Sequence, residues 1–230
     1  MISDFDFEVI TRSWGYLFLT GMRFTLTLTL LATAGGIVLG TLLAMARLGK
    51  VPLLAPAATA YVNVMRSLPL VLVIFWFYFL MPYVGAWVVG ASRPVEIDAF
   101  SSSLITFTLF EAAYFAEVMR AGIQSISRGQ FGAGQALGLN YWQVMGYVVL
   151  PQAYRNMLPV LLTQTIVLFQ DTSLVYVLSI TDFLGAASKI AQRDGRLVEM
   201  YLFAALVYFV ISFLASLAVR RMNARVAIIR

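Results

Sequence analysis

The sequence predicts an all-α, polytopic membrane protein with about five transmembrane helices, and three observations carry that prediction. Of its 230 residues, 61% are hydrophobic, and the mean hydropathy is +0.85, which leaves no room for a separate soluble domain. Apolar runs long enough to cross ~30 Å of hydrocarbon, which takes ~20 helical residues, recur along the chain with short polar stretches between them. The basic residues gather in alternate connections, as expected when loops face two compartments. There are no cysteines and no histidines. That removes disulfides, thiol chemistry, the usual zinc ligands and the usual general base, so no metal centre is expected.

Taken in order, residues 1–16 form a short amphipathic lead-in with Phe5, Phe7, Val9 and Trp14, placed with Tyr16 at a membrane interface where amphipathic rings are favoured. The terminus reads MISDFDFEVI, acidic where a secretory signal is basic, so no cleaved leader is expected. The first span is predicted over 17–46. It is longer than the hydrocarbon requires and so tilts or protrudes, and its Gly35, Gly36 and Gly40 permit close helix contact. Thr25, Thr27 and Thr29 are read as hydroxyls bonded to their own backbone rather than as a polar pathway.

Arg47, Lys50, Pro52 and Pro56 mark a turn. The apolar run over 53–89 is too long for one span and is interrupted by Arg66, Ser67, Leu68 and Pro69. We read a short helix to about Met65, a break, and a second span over 68–89. Pro69 removes a backbone donor, and carbonyls freed at membrane depth persist only where protein or a cavity receives them. A polar loop (ASRPVEIDA, 91–99) leads into a third span over 100–119. An excursion over 121–151 follows, then a fourth span over 156–180. A second polar loop, 181–199, holds Gly185, Lys189, Arg193, Asp194 and Gly195, and a fifth span covers 200–219. No internal repeat interrupts this single transmembrane domain, 1–230.

Five crossings place the termini on opposite sides. One side holds Arg47, Lys50, Arg120, Arg128, Arg155, Arg220, Arg221, Arg225 and Arg230, with no acidic residue clearly among them. The other holds Arg12, Arg93, Lys189, Arg193 and Arg196 against eight acidic groups. By the positive-inside rule the first side is cytoplasmic, so the amino terminus is expected outside and the carboxyl terminus inside.

The excursion is the longest segment between the two tails that cannot sit in lipid. It contains GQFGAGQALGLNYWQVMGYVVLP (129–151), and about thirty residues between spans imply a docking element rather than a linker. The pattern resembles the cytoplasmic coupling loop of permease subunits in bacterial ATP-binding-cassette importers, whose motif is EAA, three residues, Gly, nine residues, Ile-x-Leu-Pro. Here Gly138 is followed by nine residues and then Val148, Val149, Leu150 and Pro151, while Gly132, Ala133 and Gly134 stand where the family has Glu-Ala-Ala. The literal EAA at Glu111 to Ala113 is a decoy, because it lies inside an apolar span. The resemblance implies a short helix over about 131–137, with Phe131, Ala133 and Leu137, that seats in a cleft on an ATPase. Gly138 gives the sharp turn, and Trp142 and Pro151 fix the return into the membrane.

Five ionisable groups remain at membrane depth: Arg23, Arg66, Glu111, Glu117 and Asp171. At ~2.5–3.5 kcal/mol each on insertion scales, five lipid-facing charges would cost on the order of 15 kcal/mol, so the central ones must face other helices or a wet pathway. Arg23 lies near the outer end and snorkels. Glu117 and Arg120, three apart, read as a local ion pair. Arg66 sits at the helix break, and Asp171 opens the polar run Asp171, Thr172, Ser173 after Gln170. Two readings stay open: a buried Arg66–Asp171 pair that joins two spans, or lining of a substrate pathway by Arg66, Asp171, Thr172 and Ser173, with Asn63 and Tyr61 as weaker candidates.

An enzyme reading fares poorly, since no nucleophile–base pair, G-x-S-x-G, H-E-x-x-H or G-x-x-x-x-G-K-[ST] is present. Two function classes remain. One is an importer permease driven by a separate ATPase; the other is a self-sufficient channel or secondary carrier for small polar solutes, against which the missing inverted repeat argues. Further segments carry the resemblance: YVNVMRSLPLVLVIFWFY is similar to the second-span motif of amino-acid permeases. FEAAYFAEVMRAGIQSISRGQ, ALGLNYWQV, VLPQAYR and IVLFQDTSLVYVLS look most like the glutamate/aspartate branch. The resemblance implies a five-helix importer permease in the bacterial inner membrane that assembles with a second permease subunit, identical or paralogous. It also implies two ATPase subunits holding ATP and Mg, an extracytoplasmic substrate-binding protein, and no nucleic-acid partner.

Overall fold

A computed structural model describes residues 5–49 and 52–226; Lys50, Arg230 and the side chain of Arg225, all assigned to the basic side, lie outside the described residues. Regular structure among the described residues is helical throughout. Helix α1 (Glu8–Arg12) is followed by a wide π turn, Tyr16–Met22, that runs without a break into α2 (Arg23–Leu48). Helices α3 (Leu54–Ser67) and α4 (Leu70–Val89) flank the break. Next come α5 (Ala99–Gln124), α6 (Arg128–Ala136) and α7 (Tyr141–Val144), and α7 continues through a π turn, Met145–Val149, into α8 (Leu150–Asp171). A 3₁₀ turn, Thr172–Leu178, leads to α9 (Phe183–Asp194) and α10 (Leu197–Val226). Five stretches are long and apolar enough to cross a membrane: Tyr16–Leu48, Leu70–Val89, Ala99–Gln124, Tyr141–Leu178 and Leu197–Ala224.

The break between α3 and α4 has the expected cause. Leu68 is extended because the ring of Pro69 excludes the helical region from the residue before it, and Pro69 caps α4 by accepting from the amides of Leu72 and Val73. Asp98 starts α5 by accepting from the amides of Phe100 and Ser101, both at 3.0 Å, as an N-cap carboxylate does.

Three expectations need correction. Four of the five helical stretches are longer than the predicted spans, whereas the second, Leu70–Val89, is two residues shorter than predicted. The loop over 181–199 contains α9, where Asp182 caps the helix through the amides of Leu184 and Gly185 at 3.0 and 2.8 Å. Asp182 is buried against Tyr208, and burial pushes its carboxyl up to about 6. Finally, Pro151 does not end a loop: the helix has already resumed at Tyr141, and Pro151 lies at the start of α8 directly after the π turn. A proline needs the carbonyl four residues back moved aside, and a widened turn accommodates that.

Helix α5 is the centre of the bundle, with Phe107, Phe110, Ala112, Ala113, Phe115 and Ala116 buried between α2, α3, α4 and α8. Its tightest contact is with α2. A Cβ on Gly40 would stand 2.8 Å from Phe115 Cβ, 2.9 Å from the Ala116 amide nitrogen and 3.0 Å from the Ala112 carbonyl. Thr29 bonds back to the Thr25 carbonyl at 2.8 Å as expected, whereas the Thr25 hydroxyl accepts from the amide of Phe183 at 3.0 Å and so ties α2 to α9.

Gly40→Ala should therefore lower thermal stability in detergent by about 1–3 kcal/mol, because the obstructing atoms include backbone that cannot move aside. Gly132→Ala, with nothing within 4 Å of the added carbon, should leave the melting temperature unchanged or raise it slightly.

Candidate functional site

Two regions carry polar chemistry: a charged cluster at one end of α2, α3 and α5, and the helical excursion beside it. In the cluster, Arg47 of α2 donates to Glu117 Oε2 of α5 at 2.6 Å, and Arg66 of α3 approaches the same oxygen at 3.7 Å. Arg120 pairs with Glu117 Oε1 one turn along α5. Three guanidiniums thus share one carboxylate. They are held unequally, since the Arg47 side chain is 11% exposed and that of Arg66 is 40% exposed. Arg66 also lies over the ring of Tyr114, 5.6 Å from its centroid, in cation–π range.

Of the two readings left open, the buried Arg66–Asp171 pair is not formed, since Arg66 pairs with Glu117. Asp171 is half-buried at the end of α8. Glu111 is fully buried on α5, and both its oxygens accept from Gln164 Nε2 of α8, at 3.3 and 3.2 Å. Thr172 is buried with its hydroxyl committed to the Phe169 carbonyl at 2.7 Å, so it is not free to meet a substrate. Ser173 is half-buried and Asn63 is exposed on α3. The hydroxyl of Tyr61 donates to the Leu109 carbonyl at 2.7 Å. Arg23 is exposed, consistent with snorkelling.

The sequence reading passed over Tyr114 and Gln164, left Glu111 without a partner and did not see Glu117 as a shared one. Their spacing was the available signal. Glu111, Tyr114 and Glu117 follow one another at three-residue intervals, Gln164 and Asp171 are seven apart, and both spacings keep polar side chains on neighbouring turns of one helix face.

In the excursion, α6 begins three residues earlier than expected and stops at Ala136, after which Gly138 has φ +79°. That left-handed turn is open to glycine without penalty. Asn140 then starts α7 with a reciprocal capping box: its side chain accepts from the Gln143 amide at 3.0 Å, and the Gln143 side chain accepts from the Asn140 amide at 2.9 Å. Gly134 lets α6 close on α7, since a Cβ there would stand 2.9 Å from Val144 Cγ2. Phe131 packs against Tyr141 with ring centroids 5.6 Å apart, and Ala133 is exposed. Leu137 and Trp142 are 82% and 80% exposed, a pair of large apolar side chains offered outward from a compact element.

Five helices long and apolar enough to cross a membrane, with a capped helical element between the third and the fourth, describe a polytopic membrane protein. Residues 36–228 match the family of binding-protein-dependent transport system inner membrane components. The glutamate/aspartate import permease protein GltK of Escherichia coli O6:H1 is 53% identical over 224 residues, covering 97% of this chain and 99% of that protein. The glutamine transport system permease protein GlnP of Escherichia coli K12 is 32% identical over 213 residues, covering 93% and 94%. Among solved structures, an amino acid ABC transporter crystallised with histidines superposes with a TM-score of 0.83 at 30% identity, covering 96% of this chain and 98% of that one. The inward-facing MetNI methionine ABC transporter shares the fold at a TM-score of 0.72 and 21% identity. The chain belongs to the family of binding-protein-dependent transport system inner membrane components, and within it to the amino-acid ABC permeases.

Because Glu117 holds three cations on three helices, Glu117→Gln should destabilise the bundle by about 1–2 kcal/mol, or a few degrees in the melting temperature. Raising the salt concentration should narrow the gap to the unmodified protein, because the exposed guanidiniums then repel one another less.

Proposed function

We propose that this chain is the transmembrane subunit of an ATP-driven importer that carries glutamate and aspartate across the bacterial inner membrane. The observation that carries this reading is the 53% identity to a glutamate/aspartate import permease over nearly the full length of both chains. The chain acts as a single transmembrane domain with its amino terminus outside and its carboxyl terminus in the cytoplasm. It works with a second permease subunit, two ATPase subunits that bind ATP and Mg, and an extracytoplasmic protein that delivers the amino acid.

The cluster on Glu117 supports a role in passing an anionic cargo. A dicarboxylic amino acid carries net negative charge and needs a matched cation at membrane depth. Arg66 meets that need: it stays charged at any relevant pH and can take a carboxylate bidentately. Its hold on Glu117 is long at 3.7 Å, while Arg47 holds the same oxygen at 2.6 Å. Arg66 can therefore turn to the cargo while Glu117 remains paired to Arg47 and Arg120, and no step leaves a buried charge alone. Asp171, Ser173 and Asn63 line the same route. In proteoliposomes holding the whole complex, labelled glutamate and aspartate should accumulate in an ATP-dependent manner in preference to glutamine and arginine. Arg66→Lys should cut that uptake about tenfold without loss of assembly or basal ATP hydrolysis. Uptake of a neutral or cationic amino acid in preference to both acidic ones would overturn the cargo assignment.

The second part of the proposal is coupling. Helix α6, with Phe131, Ala133 and Leu137, seats on the ATPase, and Gly138, Trp142 and Pro151 hold the geometry of its return. At φ +79° a β-branched residue is strongly disfavoured, so Gly138→Val should abolish uptake while the complex continues to hydrolyse ATP. Normal ATP-driven uptake by that variant would remove Gly138 from the coupling element.

A further inference from the structure

Helices α2 and α3 leave between them a groove of about 530 Å³, floored by Leu109 and Ala112 of α5. Each wall is one helix stripe with the spacing i, i+3, i+4, i+7, from Leu39 to Ala46 on α2 and from Leu54 to Tyr61 on α3. Ala57 and Ala58 recess the α3 wall, so space persists where larger side chains would fill it. The one polar side-chain atom among the lining residues is the Tyr61 hydroxyl, and it donates to the Leu109 carbonyl at 2.7 Å. At ~1.5 Å per residue each wall runs for about 10 Å.

The walls narrow what can occupy this space. A buried water needs about two to four polar partners, which leucines and alanines do not offer, and a charged amino acid meets no counter-charge between the stripes. A further helix, about 10–12 Å across, takes on the order of 800–1,100 Å³ over that length, more than the groove holds. A flexible hydrocarbon chain fits, and the α2 wall lies within a membrane-spanning stretch, Tyr16–Leu48, whose surrounding solvent is hydrocarbon. One end of the groove is also marked by charge. The stripes end at Ala46 and Leu54, on either side of the connection from α2 to α3; Arg47 follows Ala46 directly, and Lys50 belongs to the connecting sequence. Close to Arg47, three guanidiniums share the single carboxylate of Glu117, which leaves an excess of positive charge. Basic pockets between membrane helices suit phosphate headgroups.

We propose that this groove binds an acyl chain of an anionic phospholipid, with the headgroup at the α2–α3 connection and the chain running toward Tyr61 and Leu109. The phosphate meets the positive charge at that end, and the chain supplies the apolar contacts that α2 and α3 do not make with each other. The site depends on neither the cargo assignment nor the coupling assignment.

The test is photolabelling of the complete complex in vesicles of phosphatidylethanolamine and phosphatidylglycerol. The tracer is phosphatidylglycerol with a diazirine either beside the headgroup or at the end of one acyl chain. The first probe should label the groove at Ala46 and Leu54, and the second at Leu39 and Tyr61. The same probes on a phosphatidylcholine headgroup should label both ends several-fold less. Ala57→Phe and Leu42→Trp each fill the groove from a position exposed in the chain, so neither burdens folding. Each should cut groove labelling about tenfold and leave Leu206, exposed on α10, labelled as before. Groove labelling that both variants leave intact would overturn the site. So would a groove that no lipid probe reaches in a complex active in those vesicles, since protein then fills it. Equal labelling by the phosphatidylcholine probes would overturn the assignment to an anionic lipid.

Discussion

The structure depends first on the close approach of α2 to α5. Inside a bilayer, lipid tails are as apolar as leucine, so helices associate through fine packing and polar contact rather than through exclusion of water. Gly36 and Gly40 provide the packing. A Cβ on Gly36 would stand 2.9 Å from the Phe115 ring and 3.2 Å from Glu111 Cβ, and Gly40 meets α5 backbone. With the helices this close, the last turn of α2 brings Arg47 to Glu117 at 2.6 Å. The register of the glycines therefore sets the ion pair: a shift of one residue on either helix would rotate Arg47 and Glu117 away from each other.

That register also explains the division of labour among the arginines. Arg47 and Arg120 grip Glu117 from α2 and α5, two elements already fixed by packing. Arg66 arrives from α3, whose end is set by Leu68 and Pro69 rather than by a tight interface, and its pairing is looser and more exposed. The cation best placed to exchange partners is thus the one at the helix break. The break has a mechanical role, because it ends α3 with Arg66 directed toward Tyr114 and Glu117 instead of continuing into α4.

Much of this was legible in the sequence. Apolar run length gave the five crossings, the Arg66–Pro69 stretch gave the break, and the spacing from Gly138 to Pro151 marked the excursion. What could not be read was rotation. Periodicity places Asp171, Thr172 and Ser173 around the end of α8 but does not say which faces inward, and the structure buries Thr172 while leaving Asp171 half-buried. The partner of Arg66 was misassigned for the same reason. Asp171 was the residue without an obvious local partner, whereas Glu117 already had Arg120 three residues away, and a sequence gives no hint that one carboxylate serves three cations. The helical restart at Tyr141 was masked by Pro151, since proline usually reads as a stop; the π turn that accommodates it has no sequence signature of its own.

The excursion is tied to the bundle more firmly than its length suggests. Only residues 125–127 separate α5 from α6, and three residues extend to ~10 Å at most. Ser125 is held by Asn156 of α8 at 2.8 Å, and Gln130 of α6 faces Gln152 of α8 at 3.5 Å. A displacement of α6 larger than this slack must therefore move α5, α8 or both. Those two helices meet at the Glu111–Gln164 contact. A carboxyl group buried there is costly to leave unpaired. The Glu111–Gln164 contact therefore resists relative motion of α5 and α8.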